Sequence, residues 1–165
     1  MAQTPVIKTA DLVDTHDAQV RFCHAPLRLY GMRRAFHGTV RTIRTFEDNV
    51  LIKATLGEPG AGRVLVVDAG GSTRLAVVGD MLAEIGRASG WAGLVLYGAI
   101  RDVAEINAMA FGVYALGSSP KKSAKAGTGS VDVPVNFGGI DFTPGAYLYA
   151  DEDGILVAPR AVHDA

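Results

Sequence analysis

Apolar residues change their spacing along this chain, and each change marks an element. Residues 9–18 (T-A-D-L-V-D-T-H-D-A) predict a short helix whose early acidic residues suit the positive end of the helix dipole. In residues 35–46, Val40, Ile43 and Phe46 stand among Thr and Arg, a β-rich pattern with imperfect alternation that predicts a strand. Helical spacing over residues 48–56 ends at the turn cluster Gly57-Glu58-Pro59-Gly60-Ala61-Gly62. Val64–Asp68 is an unbroken apolar run closed by one acid, the pattern of a strand buried on both faces, and residues 69–72 follow as a tight loop. Gly79-Asp80 opens a helix in which Met81, Leu82 and Ile85 share a face, and Gly90 supplies its stop. Residues 94–97 predict a second buried strand and residues 98–100 its exit loop. Arg101-Asp102 begins a helix carrying Val103, Ile106 and Met109 inward, and residues 112–116 form a third short strand.

The order β-α-β-α-β argues for parallel strands joined by right-handed crossovers. Loops leaving the carboxyl ends of such strands share one edge, where ligands settle. The loop after Asp68, the start of the Gly79 helix and Arg101-Asp102 should therefore converge. The last third differs: residues 131–137, 140–143 and 147–157 read as strands separated by Gly138-Gly139, Pro144-Gly145 and Asp153-Gly154, an antiparallel region. No internal repeat or linker interrupts the pattern, so a single domain over residues 1–165 is expected.

Composition narrows the function. With 165 residues, 48% apolar and 20% charged, the chain should fold as one globular unit. Sixteen basic against seventeen acidic side chains leave a net charge of -1, so no global field draws nucleic acid or an anionic membrane. One cysteine, Cys23, permits neither an internal disulfide nor a paired-thiol zinc site, which suits a reducing compartment. Residues 1–13 lack a basic start followed by an apolar run, and the apolar stretch 92–100 is far shorter than a membrane span. A soluble cytoplasmic protein is expected.

Several apparent motifs fail on spacing. The loop Asp68-Ala69-Gly70-Gly71-Ser72 has Ser where a third glycine is needed, and no G-x-G-x-x-G opens the helix, so neither a nucleotide nor S-adenosylmethionine is expected there. Gly117 to Ser123 imitates a phosphate loop but lacks the second glycine and carries Pro120, and Lys121, Lys122 and Lys125 read as a solvated basic face. His16, His24, His37 and His163 stand apart without helical metal-pair spacing, and Cys23 beside His24 reads as a buried structural thiol. Asp151-Glu152-Asp153-Gly154 reads as a turn.

One constellation survives. Gly79-Asp80 and Arg101-Asp102-Val103-Ala104-Glu105 both stand at helix starts on the expected ligand edge. Arg101 offers a planar fork for a carboxylate, Asp102 offers hard oxygen for magnesium or manganese, and the N–H groups of Asp80, Met81 and Leu82 can receive an anion. Spacing alone equally allows a surface Arg-Asp pair with acidic helix-start residues.

The segments T-A-D-L-V-D, F-E-D-N, G-R-V-L-V-V-D-A-G-G-S, V-V-G-D-M-L-A-E, G-W-A-G-L-V-L-Y-G-A-I-R-D, N-F-G-G and Y-A-D-E-D-G-I-L-V span nearly the whole chain. In their order and spacing the sequence resembles the family that includes the regulator of ribonuclease activity A and the metal-dependent 4-hydroxy-4-methyl-2-oxoglutarate aldolases. The resemblance implies an α/β/β sandwich assembled as a homotrimer with sites between subunits. It implies that Gly79, Asp80, Met81 and Leu82 hold substrate, Arg101 binds the pyruvyl carboxylate, Asp102 ligates Mg²⁺ or Mn²⁺ directly, and Glu105 acts through water. Cleavage of 4-hydroxy-4-methyl-2-oxoglutarate to two pyruvates, with oxaloacetate decarboxylation through the same enolate, is the implied activity. A non-catalytic ring that binds ribonuclease E is the alternative from the same family. Where relatives often read P-G-D, this chain has Pro144-Gly145-Ala146, which removes a carboxylate from that position.

Overall fold

The apolar runs become strands because each of their two faces meets a separate layer. The computed structural model of the chain describes residues 6–164. Its elements are α1 (Thr9–His16), β1 (Arg21–Phe22), β2 (Arg28–Tyr30), β3 (Phe36–Arg44), α2 (Val50–Leu56), β4 (Val64–Asp68), β5 (Ala76–Val78), α3 (Asp80–Ala88), β6 (Gly93–Ile100) and α4 (Val103–Asn107), followed by β7 (Val113–Ser118), β8 (Ser130–Val131), β9 (Val135–Phe137), β10 (Ile140–Phe142), β11 (Tyr147–Ala150) and β12 (Ile155–Ala158).

A mixed sheet runs in the order β1-β12-β11-β3-β4-β6-β7-β2, with β5 added to β6 and β8 to β3; β9 and β10 form a separate hairpin. The β4, β6 and β7 strands pair in parallel across the crossovers that carry α3 and α4, as the sequence order requires. The parallel layer begins one strand earlier than expected, because β3 also pairs in parallel with β4, from Val40 on Val64 to Arg44 on Asp68.

Side-chain alternation sorts the core into layers. On one face Ile43, Leu65, Val67, Leu94, Leu96, Val113 and Ala115 pack with Ile52, Leu56, Ala83 and Ile106 of α2, α3 and α4. On the other, Val40, Val64, Val66, Val95 and Tyr114 pack against Phe137 and Phe142 of the hairpin and Leu148, Ala150, Ile155 and Val157 of β11 and β12. The alternate residues Tyr149, Leu156 and Ala158 turn outward and are covered by Leu12 and Val162. A mixed α/β sandwich results: helices, parallel strands, then antiparallel strands.

Boundaries moved where pairing outweighed local composition. Residues 98–100 are no exit loop but the end of β6, paired with β5 and β7, with a register irregularity between Leu96 and Ala99 that absorbs Gly98. Gly117 and Ser118 likewise belong to β7. Met81 is 71% exposed, so the buried stripe of α3 runs instead through Leu82, Ala83, Ile85 and Gly86. The helix after Asp102 stops at Asn107, and Met109 reaches the core from the following turn. Pro134, which has no N–H for a ladder, lies between β8 and β9 and splits the strand expected over residues 131–137. The acidic turn joins β11 to β12, and there the Asp151 carboxylate accepts the Thr9 N–H at 2.8 Å, tying α1 to the sheet.

Asp48, 2% exposed, anchors the edge of the helical layer. Its carboxylate accepts N–H groups from Val50 at 3.0 Å, Ala126 at 2.6 Å and Gly127 at 3.0 Å. Burial by itself raises such a carboxyl, but these backbone donors outweigh it and hold Asp48 below its ordinary value of 3.8. Its contribution to stability is therefore full above that ordinary value and is lost as pH falls through the lower folded one. Asp48→Asn should cost about 1–3 kcal/mol near neutral pH and flatten the acid limb of stability, read by urea unfolding across the acid range.

Candidate active site at the edge of the parallel strands

Parallel pairing of β5 with β6 brings two distant stretches of chain together. Val78 pairs with Ile100, and the Arg101 N–H continues the ladder to the Val78 carbonyl at 2.9 Å. Gly79, the residue before α3, thereby lies against Arg101 and Asp102, the residues before α4. A Cβ on Gly79 would stand 2.7 Å from Asp102 Oδ2 and 3.4 Å from Arg101 Cγ, so only glycine allows this approach without displacing the carboxylate.

Asp102 is in the left-handed region, with φ 59° and ψ 46°. Aspartate tolerates this conformation better than most residues, at some cost. In that geometry its Oδ2 turns back and accepts the Asp80 N–H at 3.0 Å. Of the three α3 amides expected to face a ligand, that of Asp80 is thus already engaged and that of Met81 turns to the Asp80 carboxyl. The Asp80 carboxyl is raised above its ordinary value, by burial first, then by its hydrogen bond to and charge repulsion from Asp102, with Glu105 adding to the repulsion and the Met81 N–H opposing it. Glu105 itself is exposed, one turn into α4.

Arg101 shares with Arg28 and Arg160 a guanidinium that makes no hydrogen bond among the described residues, but of the three it alone stands beside Gly79 and Asp102. Arg33, Arg34, Arg41, Arg63, Arg74 and Arg87 donate to carbonyls or carboxylates of the protein. Among the described residues the Arg101 guanidinium makes no hydrogen bond, and its Nε lies 4.0 Å from Asp102 Oδ2 with both side chains more than one-third exposed. Gly79, Asp80, Arg101, Asp102 and Glu105 therefore share one edge, while the Met81 side chain points into solvent.

The same edge holds residues the spacing did not connect to it. After β7 the chain folds back along β5: the Ala76 N–H donates to the Lys121 carbonyl at 2.7 Å and the Ser123 N–H to the Ala76 carbonyl at 3.0 Å. Lys121 and Lys122 are exposed, as expected, but beside the strand that leads to Gly79. Glu47 receives Arg74 through Nε at 2.9 Å and Nη2 at 2.6 Å and the Ser72 hydroxyl at 3.0 Å, closing the loop after β4. Gly70 and Gly71, at φ 73° and 74°, form a turn packed under the Phe46 and Tyr97 rings. The short apolar run before Gly79 was the only sequence signal for β5; Glu47 offered none.

Other candidates lie elsewhere. His37 and His163, far apart in sequence, meet with ring centroids 5.1 Å apart on the outer face. Among the described residues no group of three or more His, Cys, Asp or Glu side chains converges as a metal cage. Cys23 is half-buried rather than buried, and burial raises its thiol above the ordinary value despite a backbone hydrogen bond at Ala25. A cavity of about 920 Å³ lined by Arg21, Pro144, Ala146, Val157 and Arg160 contains none of the edge residues. No helix among the described residues is long and apolar enough to cross a membrane.

Fold and edge together define an α/β protein with a carboxylate and an unspent guanidinium at the carboxyl ends of parallel strands. The chain belongs to the Aldolase/RraA family, whose RraA-like model matches residues 9–157. A protein of Aromatoleum aromaticum, provisionally named 4-hydroxy-4-methyl-2-oxoglutarate aldolase, is 52% identical over 155 residues, 94% of this chain and 98% of that one. The Geobacillus kaustophilus crystal structure described as S-adenosylmethionine:2-dimethylmenaquinone methyltransferase superposes with a TM-score of 0.94 at 46% identity, covering 96% of this chain and 99% of that one. The RNA-processing inhibitor RraA of Thermus thermophilis gives a TM-score of 0.91 at 45% identity, covering 94% of each chain.

Replacing Asp102 separates its backbone cost from its side-chain role. Asp102→Gly relieves the left-handed strain while losing one hydrogen bond, so stability should change by less than about 1 kcal/mol, whereas Asp102→Ala loses the bond, keeps the strain and should cost about 1–2 kcal/mol. Thermal and urea unfolding of both variants read the difference.

Proposed function

We propose that the chain is a divalent-metal-dependent aldolase that cleaves 4-hydroxy-4-methyl-2-oxoglutarate into two pyruvates and also decarboxylates oxaloacetate. The observation that carries this reading is the Arg101 guanidinium, without a protein acceptor among the described residues, beside the Asp102 carboxylate at a ligand-accessible strand end. Structures spend arginine forks on carboxylates, and an unspent one at such an edge suits a substrate carboxylate. The 52%-identical relative named for this aldolase supports the same substrate class.

The donor set suits a hard cation. Asp102 would hold Mg²⁺ or Mn²⁺, with Glu105 acting through water. One protein carboxylate is enough for an ion that keeps waters and takes further oxygens from its substrate. When bound, the ion supplies Lewis-acid polarisation of the 2-keto group and charge to stabilise an enolate.

The chain's own residues would do the rest. Arg101 clamps the carboxylate next to the keto group, holding the substrate where C3–C4 cleavage can align with the carbonyl. Gly79 leaves room for this approach, and the Leu82 amide and the positive end of the α3 dipole favour negative charge there, with the Met81 amide held to the Asp80 carboxyl. Asp80 and Glu105 move the C4-hydroxyl proton through water. As that proton leaves, the C3–C4 bond breaks, C4 becomes the keto carbon of one pyruvate, and the bonding pair passes to C3 as the enolate of the other; protonation at C3 completes the reaction. Oxaloacetate loses its C4 carboxylate as carbon dioxide and leaves the same enolate.

We read the active form as a cytoplasmic homotrimer in which a neighbouring copy covers the edge. Phe46 and Met81, 59% and 71% exposed, flank that edge in the single chain and offer apolar surface for such a contact. Sedimentation should then give three times the chain mass of 17.3 kDa.

A second reading, a ring that binds ribonuclease E and restrains RNA processing, is favoured by the 45%-identical RNA-processing inhibitor. A coupled pyruvate assay separates the two. The enzyme should release pyruvate from both substrates with added Mg²⁺ and lose activity on chelation, and Arg101→Ala or Asp102→Gly should lower kcat/KM by about 100-fold or more. Tight binding to ribonuclease E with no pyruvate from either substrate would replace the aldolase reading with the regulator.

A further inference from the structure

The outer face of the antiparallel strands carries a hydrogen-bonded group unrelated to the strand-end site. Tyr149 on β11, 1% exposed, points outward into the layer formed with Leu12, Leu156, Ala158 and Val162. Its phenolic oxygen accepts two backbone N–H groups from the segment after β12, Val162 at 2.8 Å and His163 at 3.2 Å. The same oxygen lies 2.7 Å from His163 Nδ1.

These three contacts determine where the protons are. An oxygen that already accepts two N–H groups has only its own proton left to give, so the Tyr149 hydroxyl donates to Nδ1. His163 Nδ1 is therefore an acceptor, and the neutral ring carries its proton on Nε2. A second proton can enter only at Nδ1. It would set an N–H against an O–H, and the phenol could receive it only by releasing one of the two backbone amides.

We propose that protonation of His163 undocks residues 159–164 from the sheet, making the Tyr149 contact an acid-sensitive latch.

The surroundings sharpen the response. Among the described residues the titratable or charged groups facing His163 are His37 on β3, Tyr147 and Tyr149 on β11, and Asp164 on its own segment; α1 and β12 present the apolar Leu12, Leu156 and Ala158. Asp164, 3.5 Å from His163 Nε2, is 93% exposed and offers little compensation for a charge on the ring. His37 lies with its ring 5.1 Å from that of His163, so a proton on either opposes a proton on the other. Burial first, and then His163, hold His37 below the ordinary imidazole value, with Asp164 opposing. His37 does not share the conflict: its Nδ1 partner, the Tyr147 hydroxyl at 2.6 Å, can turn from donor to acceptor. The switch is therefore specific to His163.

Hydrogen exchange of the full-length protein tests this. After correction for intrinsic rates, protection of the Val162 and His163 amides should fall at least about tenfold between roughly pH 8 and pH 5.5. His163→Gln should keep protection and lose its pH dependence, whereas His37→Gln should retain that dependence. Imidazole ¹⁵N shifts of the wild-type protein should show the neutral Nε2–H tautomer, a reading that needs no variant to fold. Constant protection across this range overturns the latch, as does a neutral Nδ1–H tautomer or an acid loss that persists in His163→Gln.

Discussion

The Arg101 N–H reaches the Val78 carbonyl at 2.9 Å, one residue beyond the last paired position of β6. Through this bond the chain leaving β6 is held beside the chain leaving β5, although more than twenty residues separate them. Gly79 and Asp102 are then forced together, and the Asp80 N–H finds the Asp102 carboxylate rather than water. Asp102 meets that demand only in a left-handed conformation. Strain, a missing Cβ and an arginine without a protein acceptor thus coincide at one strand end, and each is costly or wasteful for stability alone.

Rigid support makes that local cost tolerable. Strands β4 and β6 are dry on both faces, one against α2, α3 and α4, the other against the β9-β10 hairpin and the β11-β12 pair. Trp91, 1% exposed, closes the base of the helical layer by donating its indole N–H to the Leu56 and Glu58 carbonyls at 3.1 and 3.2 Å. Asp48 and Glu47 secure the loops at the opposite end with backbone amides and with Ser72 and Arg74. The edge can stay open because everything behind it is pinned.

Two faces of the molecule therefore carry ionisable groups in different settings. At the strand ends, carboxylates and a guanidinium are left partly exposed, where a charged ligand can compensate them. On the outer face of β11, imidazoles and phenols satisfy one another with no ligand, and a single proton suffices to break the balance. No element carries both groups, since β5 and β6 lie in the parallel half of the sheet and β11 joins it from the other side of β3.

What could be read along the chain were features written into local order. The run Val64–Asp68 had to be doubly buried, Gly90 had to end α3, where it takes φ 86°, and Arg101-Asp102 had to stand at a turn. The quoted segments also carried the family, because their order survives in the chain whatever its packing. Tertiary structure alone decided the rest, because it depends on partners distant in sequence. Ladder bonds kept Gly98 inside β6, and the pairing with β6 made a strand of Ala76–Val78. The solvent side of α3 took Met81 although its neighbour Leu82 turned inward. Nor could spacing reveal that His37 and His163 meet, or that Glu47 holds Arg74, since each pair is joined only when β3 takes its place between β11 and β4. Local sequence sets what a segment can become; which neighbour removes its water decides what it is.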